Sequence, residues 1–121
     1  MRYILIFFPF LLGACYSPPS AKPEIDSRMV NYIGIAKHPD SSSFKMTKEQ
    51  AEQFIREWNG ASSAGLYKFW PEYFVTVHFK KDSTVSFRIN DGLIKGQGDN
   101  TYAVADKQFF NETWFKITGH H

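Results

Sequence analysis

Thr47-Lys48-Glu49-Gln50 is a capping box, in which the Thr47 hydroxyl accepts the Gln50 amide and the Gln50 side chain reaches back to the start of the helix. Behind it, Ala51, Phe54, Ile55 and Trp58 recur at helical spacing on one face, while Glu49, Glu52, Gln53, Arg56 and Glu57 fall elsewhere. Asn59-Gly60 supplies the stop. The middle of the chain is therefore a helix with one apolar stripe, and such a stripe needs a second layer to bury it.

Two alternating stretches supply that layer. Phe74 to Lys80 places Val75, Val77 and Phe79 on one side, and Thr84 to Asn90 does the same with Val85, Phe87 and Ile89. They read as a hairpin whose register can shift only in even steps, because a slip of one residue would oppose the apolar set of one strand to the polar set of the other. A loop of Lys81-Asp82-Ser83, with Ser83 near the left-handed region, pairs Phe79 with Val85 and Val77 with Phe87. The opposite face then carries Thr76, His78 and Lys80 beside Ser86 and Arg88.

Around this centre, Met29 to Ala36 reads as a strand ending at the turn formers His38-Pro39-Asp40-Ser41-Ser42-Ser43. Asp91-Gly92 is a turn, Leu93-Ile94-Lys95 a short apolar piece, Gly96 to Asn100 another turn, and Thr101 to Ala105 a further strand. Asp106 can cap a last helix through Phe110, Trp114 and Ile117. Phe109 and Phe115 also fit a strand there, and the helix is the preferred reading. The order predicts an α+β domain: an antiparallel sheet of about four to five strands, one amphipathic helix packed on one face, and a short C-terminal helix. A length of 121 residues, less what precedes the domain, leaves room for one small unit, here residues 28–118.

The N-terminus has a different character. Tyr3 to Leu12 is apolar behind Met1-Arg2 and ends in small residues, which is the layout of a secretory leader and about half the length of a membrane span. Leu12-Gly13-Ala14 stands immediately before Cys15, the only cysteine in the chain. This segment resembles the lipobox of bacterial lipoproteins, and the resemblance covers the leader alone. It implies removal of residues 1–14, a diacylglyceryl group on the Cys15 thiol, and acylation of the new amino terminus. Residues 15–27 then form the lipidated cysteine and a Pro/Ser-rich tether, extended at about 3.1 Å per residue. Tyr16 follows the cysteine where an aspartate would imply inner-membrane retention, so the resemblance points to the outer membrane, and the lack of an acidic run like a surface-export signal points to a periplasm-facing domain. The alternative is an ordinary secreted protein with a chance cysteine after its cleavage site.

Charge and motifs narrow the function classes. With 14 Lys+Arg against 12 Asp+Glu the chain is nearly balanced, which gives no footprint for nucleic acid. A single cysteine leaves the mature domain without a disulfide. His78 is the one histidine on a firm element, but nothing in the pattern brings it a nucleophile or carboxylate, and a surface histidine is the simpler reading. His38, His120 and His121 lack spacing to a second ligand, and the terminal pair also fits the remnant of a tag. Gly96-Gln97-Gly98 lacks the rest of a phosphate-binding loop, and Asp91, Asp99 and Asn100 are not in the order of a calcium loop. Asn111-Glu112-Thr113 is formally a glycosylation sequon. No catalytic set, metal site or cofactor is expected.

The segment Leu66-Tyr67-Lys68-Phe69-Trp70-Pro71-Glu72-Tyr73 is the remaining feature, an aromatic connection preceded by the flexible Gly60 to Gly65. Aromatics in a small domain are mostly core. The alternative is a binding surface of Tyr67, Lys68, Phe69, Trp70 and Glu72, in which flat rings with polar neighbours meet a protein or glycan partner. Pro71 biases Trp70 towards an extended backbone and makes it the choice of anchor. Trp58-Asn59 followed by Pro71-Glu72-Tyr73 and a charged hairpin has a general similarity to small envelope lipoproteins, with no activity attached. The leading expectation is a lipid-anchored, non-enzymatic binding domain. An inhibitor or immunity-type protein against an envelope hydrolase or toxin is the alternative, and an enzyme comes third.

Overall fold

Helix α1 (Lys48–Asn59) begins where the capping box places it. Gln50 N donates to Thr47 Oγ1 at 3.1 Å, and Thr47 N donates to Gln50 Oε1 at 2.9 Å. The computed structural model describes residues 22–37, 42–66, 68–96, 98 and 100–119. Cys15, the leader, most of the tether, His38, Tyr67, Asp99 and the terminal histidines lie outside the described residues.

The strands are β1 (Val30–Lys37), β2 (Ser43–Lys45), β3 (Ser62–Gly65), β4 (Tyr73–Phe79), β5 (Thr84–Asn90), β6 (Leu93–Lys95) and β7 (Thr101–Ala103), and helix α2 (Phe109–Thr118) closes the order. All pairings are antiparallel, in the sheet order β2-β1-β4-β5-β6-β7-β3. The α+β class and the antiparallel sheet are as expected, but the sheet has seven strands rather than four to five. The two unforeseen strands, β2 and β3, lie at its edges. Ser62-Ser63-Ala64-Gly65 has little strand preference of its own and pairs because β7 offers it an open edge.

The central hairpin keeps the expected parity and shifts by two residues. Val77 faces Val85 and Val75 faces Phe87, instead of Phe79 facing Val85. The loop is Lys80-Lys81-Asp82, closed by Phe79 N donating to Ser83 O at 2.9 Å. Asp82, not Ser83, takes the left-handed conformation at φ 64°, which its short carboxylate side chain tolerates better than most. At the next turn Asp91 (φ 49°) and Gly92 (φ 80°) join Asn90 to its partner Leu93, the positive pair that an Asp-Gly hairpin turn requires.

Register fixes which side chains share a face. Ile33, Ile35, Val75, Val77, Phe87, Ile89 and Ile94 point one way and are buried. Both helices cover that side. Phe54 and Trp58 of α1 meet Phe87, Phe110 and Trp114 of α2 meet Tyr73, and Phe54 meets Phe110 between the helices. Asp106 accepts the Gln108 amide one turn ahead of α2, whose cap residue Gln108 makes no side-chain cap bond. Residues 22–27, read from sequence as the end of the tether, pack on the domain, with Ile25 buried in its core.

Candidate functional site

On the sheet face opposite the helices, Phe69 and Trp70 of the connection that precedes β4 meet side chains of β5 and β6. Three contacts hold that connection. Asn90 Nδ2 on β5 donates to Trp70 O at 2.5 Å, Lys95 Nζ on β6 sits 5.3 Å from the Phe69 ring centroid, and Glu72 N donates to Ile89 O at 2.7 Å. The backbone of Trp70 is thus fixed while its side chain is 86 % exposed, the most exposed large apolar group described. Leu66 is 75 % exposed and Lys68 is exposed too.

Of the five residues proposed from sequence, Phe69 is half-buried beneath Lys95, Glu72 is half-buried at the start of β4, and Lys68 and Trp70 face solvent. The fifth, Tyr67, lies outside the described residues. Tyr73, next in the chain, belongs to the core. Its hydroxyl donates to Asn111 Oδ1, and burial, with Glu72 nearby, pushes its pKa up to about 12. The connection therefore sets the half-buried Phe69 beside the exposed Trp70, whose backbone carbonyl is held by Asn90.

His78 lies on the same open face. Its ring stacks on Tyr32 at 4.2 Å with an interplanar angle of 13°, and Lys45 Nζ stands 4.7 Å from the Tyr32 centroid. The strand partner of His78 is Thr84, whereas Ser86 faces Thr76, their hydroxyls 3.4 Å apart. Among the described residues, no hydrogen bond or ion pair joins His78 to a carboxylate or a nucleophile. No three of His, Cys, Asp and Glu converge as metal ligands among the described residues.

Sequence reasoning placed Arg88 on this face but missed Lys45 and Lys95. Arg88 on β5 is directly opposite Lys95 on β6, and Lys45 projects from β2. Arg88 was visible in the alternation, but Lys45 and Lys95 sit on three-residue strands too short for a period to show. On the helix side, an open groove of about 560 Å³ runs between the start of β1 and the first turn of α1, with Arg28, Lys48, Lys80 and Glu52 in its walls. Arg28 is already engaged there by Asp26 at 2.9 Å, which holds the Asp26 carboxyl below the usual range.

No protein-family model, curated protein or solved structure matches the chain. No helix among the described residues is long and apolar enough to cross a membrane.

Proposed function

We propose that this chain is a lipid-anchored protein of the bacterial envelope, with a diacylglyceryl group on Cys15 and a non-enzymatic binding domain that uses the Trp70 segment as its contact surface. The observation that carries the binding role is the pairing of a fixed backbone with a free ring: Asn90 and Phe69 hold the segment, and Trp70 remains in solvent. An exposed tryptophan on a rigid loop has the character of a binding anchor, because little conformational freedom is lost when it is covered.

The lipobox resemblance supports the anchor, and the packing of Lys22 shortens the tether. Only Tyr16 to Ala21 separate Cys15 from the first described residue, an extended reach of about 20 Å. Tyr16 after the cysteine favours the outer membrane, and the lack of an acidic run after it favours a domain that faces the periplasm.

Metabolic labelling with palmitate tests the anchor: label is expected on the wild type and lost in Cys15→Ala, and label retained on the variant contradicts it. Photo-crosslinking from position 68 in intact cells tests the binding role. A discrete adduct to an envelope component supports it, and the absence of any adduct at native abundance counts against it.

A further inference from the structure

We propose that the open sheet face, continuous with the Trp70 segment, binds an anionic glycan. This rests on the binding-domain reading above and names its ligand. Strand register arranges the face in rows. One row runs Phe74, Arg88 and Lys95 across β4, β5 and β6 and ends at the buried Thr101 of β7, and the next runs Lys45, Gly34, Thr76, Ser86 across β2, β1, β4 and β5.

Charge on these rows has one sign. Arg88 and Lys95 are direct cross-strand neighbours, an arrangement that is unfavourable for like charges unless an anion lies between them. Neither has a carboxylate partner among the described residues. Among those residues, Arg88 makes a 3.4 Å contact to the Gly96 carbonyl, and Lys95 rests over Phe69. The strand positions that face this side carry no acidic residue, and Glu72, Asp82 and Asp91 stand at its rim. Lys45 is three strands from Arg88, about 14 Å at ordinary strand spacing, so one ligand that meets both must be extended.

The surroundings favour a sugar polymer over other anions. The floor between the cations is made by Gly34 and the hydroxyls of Thr76 and Ser86, which suit a ligand rich in hydroxyls. Trp70 adds a free flat ring beside the cationic row, joined to it through Phe69 and Asn90, and can stack on the apolar face of a pyranose. Phe74 is exposed in the first row, but the second, Lys45, Gly34, Thr76 and Ser86, carries no large apolar side chain of the kind a bilayer surface would meet.

The test uses the full-length lipidated protein in detergent micelles, with polygalacturonate and a phosphate-bearing teichoic acid as anionic glycans, dextran as the uncharged glycan, and polyglutamate as the anion without sugar. Trp58 and Trp114 are buried, so a change in tryptophan emission reports Trp70. At least one anionic glycan is expected to bind tenfold or more tightly than dextran and polyglutamate, with affinity falling as salt rises. Arg88→Glu together with Lys95→Glu should lower that affinity at least tenfold without moving the melting curve. Equal binding to polyglutamate, or no binding to either anionic glycan, overturns the proposal. If both glycans fail while an adduct from position 68 persists, the glycan assignment alone is lost; if the adduct is missing as well, the binding-domain reading goes with it.

Discussion

Lys22 closes the C-terminal end of α1 over Trp58: its Nζ donates to the Trp58 carbonyl at 2.6 Å and lies 5.3 Å from the centre of the indole. The same ammonium donates to Asn59 O at 2.9 Å and Ala61 O at 2.8 Å, while Trp58 Nε1 donates in return to Pro23 O at 2.8 Å. Carbonyls at a helix C-terminus have no partner within the helix, and a cation there also meets the negative end of the helix dipole. Burial lowers the Lys22 pKa, and Glu24 opposes that shift.

Lys22→Met keeps the length of the side chain and removes its donors. Its cost is expected to be about 1 to 3 kcal/mol, from carbonyls left without their charged partner. Urea unfolding of a leaderless soluble form measures it. A change below about 0.5 kcal/mol would mean that water replaces Lys22 without loss.

Trp58 is 2 % exposed, with Phe87 at 4.8 Å and Tyr102 at 5.1 Å between ring centroids. Its replacement by alanine should cost about 3 to 5 kcal/mol, a large part of the stability of so small a domain. Chemical denaturation that moved by less than about 1 kcal/mol would place the indole outside the core.

The α1 stripe and the strands β4 and β5 were legible because each carries a full period of apolar positions and a recognisable terminus. Thr47 and Gln50 form the cap that their spacing implies, and Phe54, Ile55 and Trp58 are the buried side chains of α1. What could not be read was set by partners distant in sequence. Ser62 to Gly65 became a strand only because β7 has a free edge, and Lys22 packs only because α1 ends beside it. The hairpin slipped by two residues because Asp82 and Ser83 compete for one left-handed position, a contest that alternation cannot decide. For the candidate surface, the order of Trp70 and Pro71 implied an outward ring, but Lys45, Arg88 and Lys95 come from β2, β5 and β6 and needed the sheet order to be placed on one face.

Tyr73 gives a pH dependence. Its folded pKa of about 12 lies above the ordinary value of 10.0, because burial disfavours the phenolate. Its contribution to stability is therefore complete below pH 10.0 and is lost as pH rises towards about 12. The difference in phenolate absorbance between the wild type and Tyr73→Phe should show the late titration. Ionisation of this group near the ordinary value would contradict its burial.

Gly92 combines a φ of 80° with a tight approach, since a Cβ there would stand 2.8 Å from Lys107 Cγ. Gly92→Ala should destabilise the fold by about 1 to 2 kcal/mol through the left-handed backbone and the displaced lysine. A thermal melt identical to wild type would show that the turn adopts another conformation.

The central claim is that Trp70 is a binding anchor on a rigid backbone, and its most direct test is Trp70→Ala measured for stability and binding together. At 86 % exposure the indole contributes little to the fold, so the melting curve should stay within about 0.5 kcal/mol of wild type, while the adduct captured from position 68 in cells disappears. A large drop in stability, or an unchanged adduct from a variant that folds normally, would contradict the account.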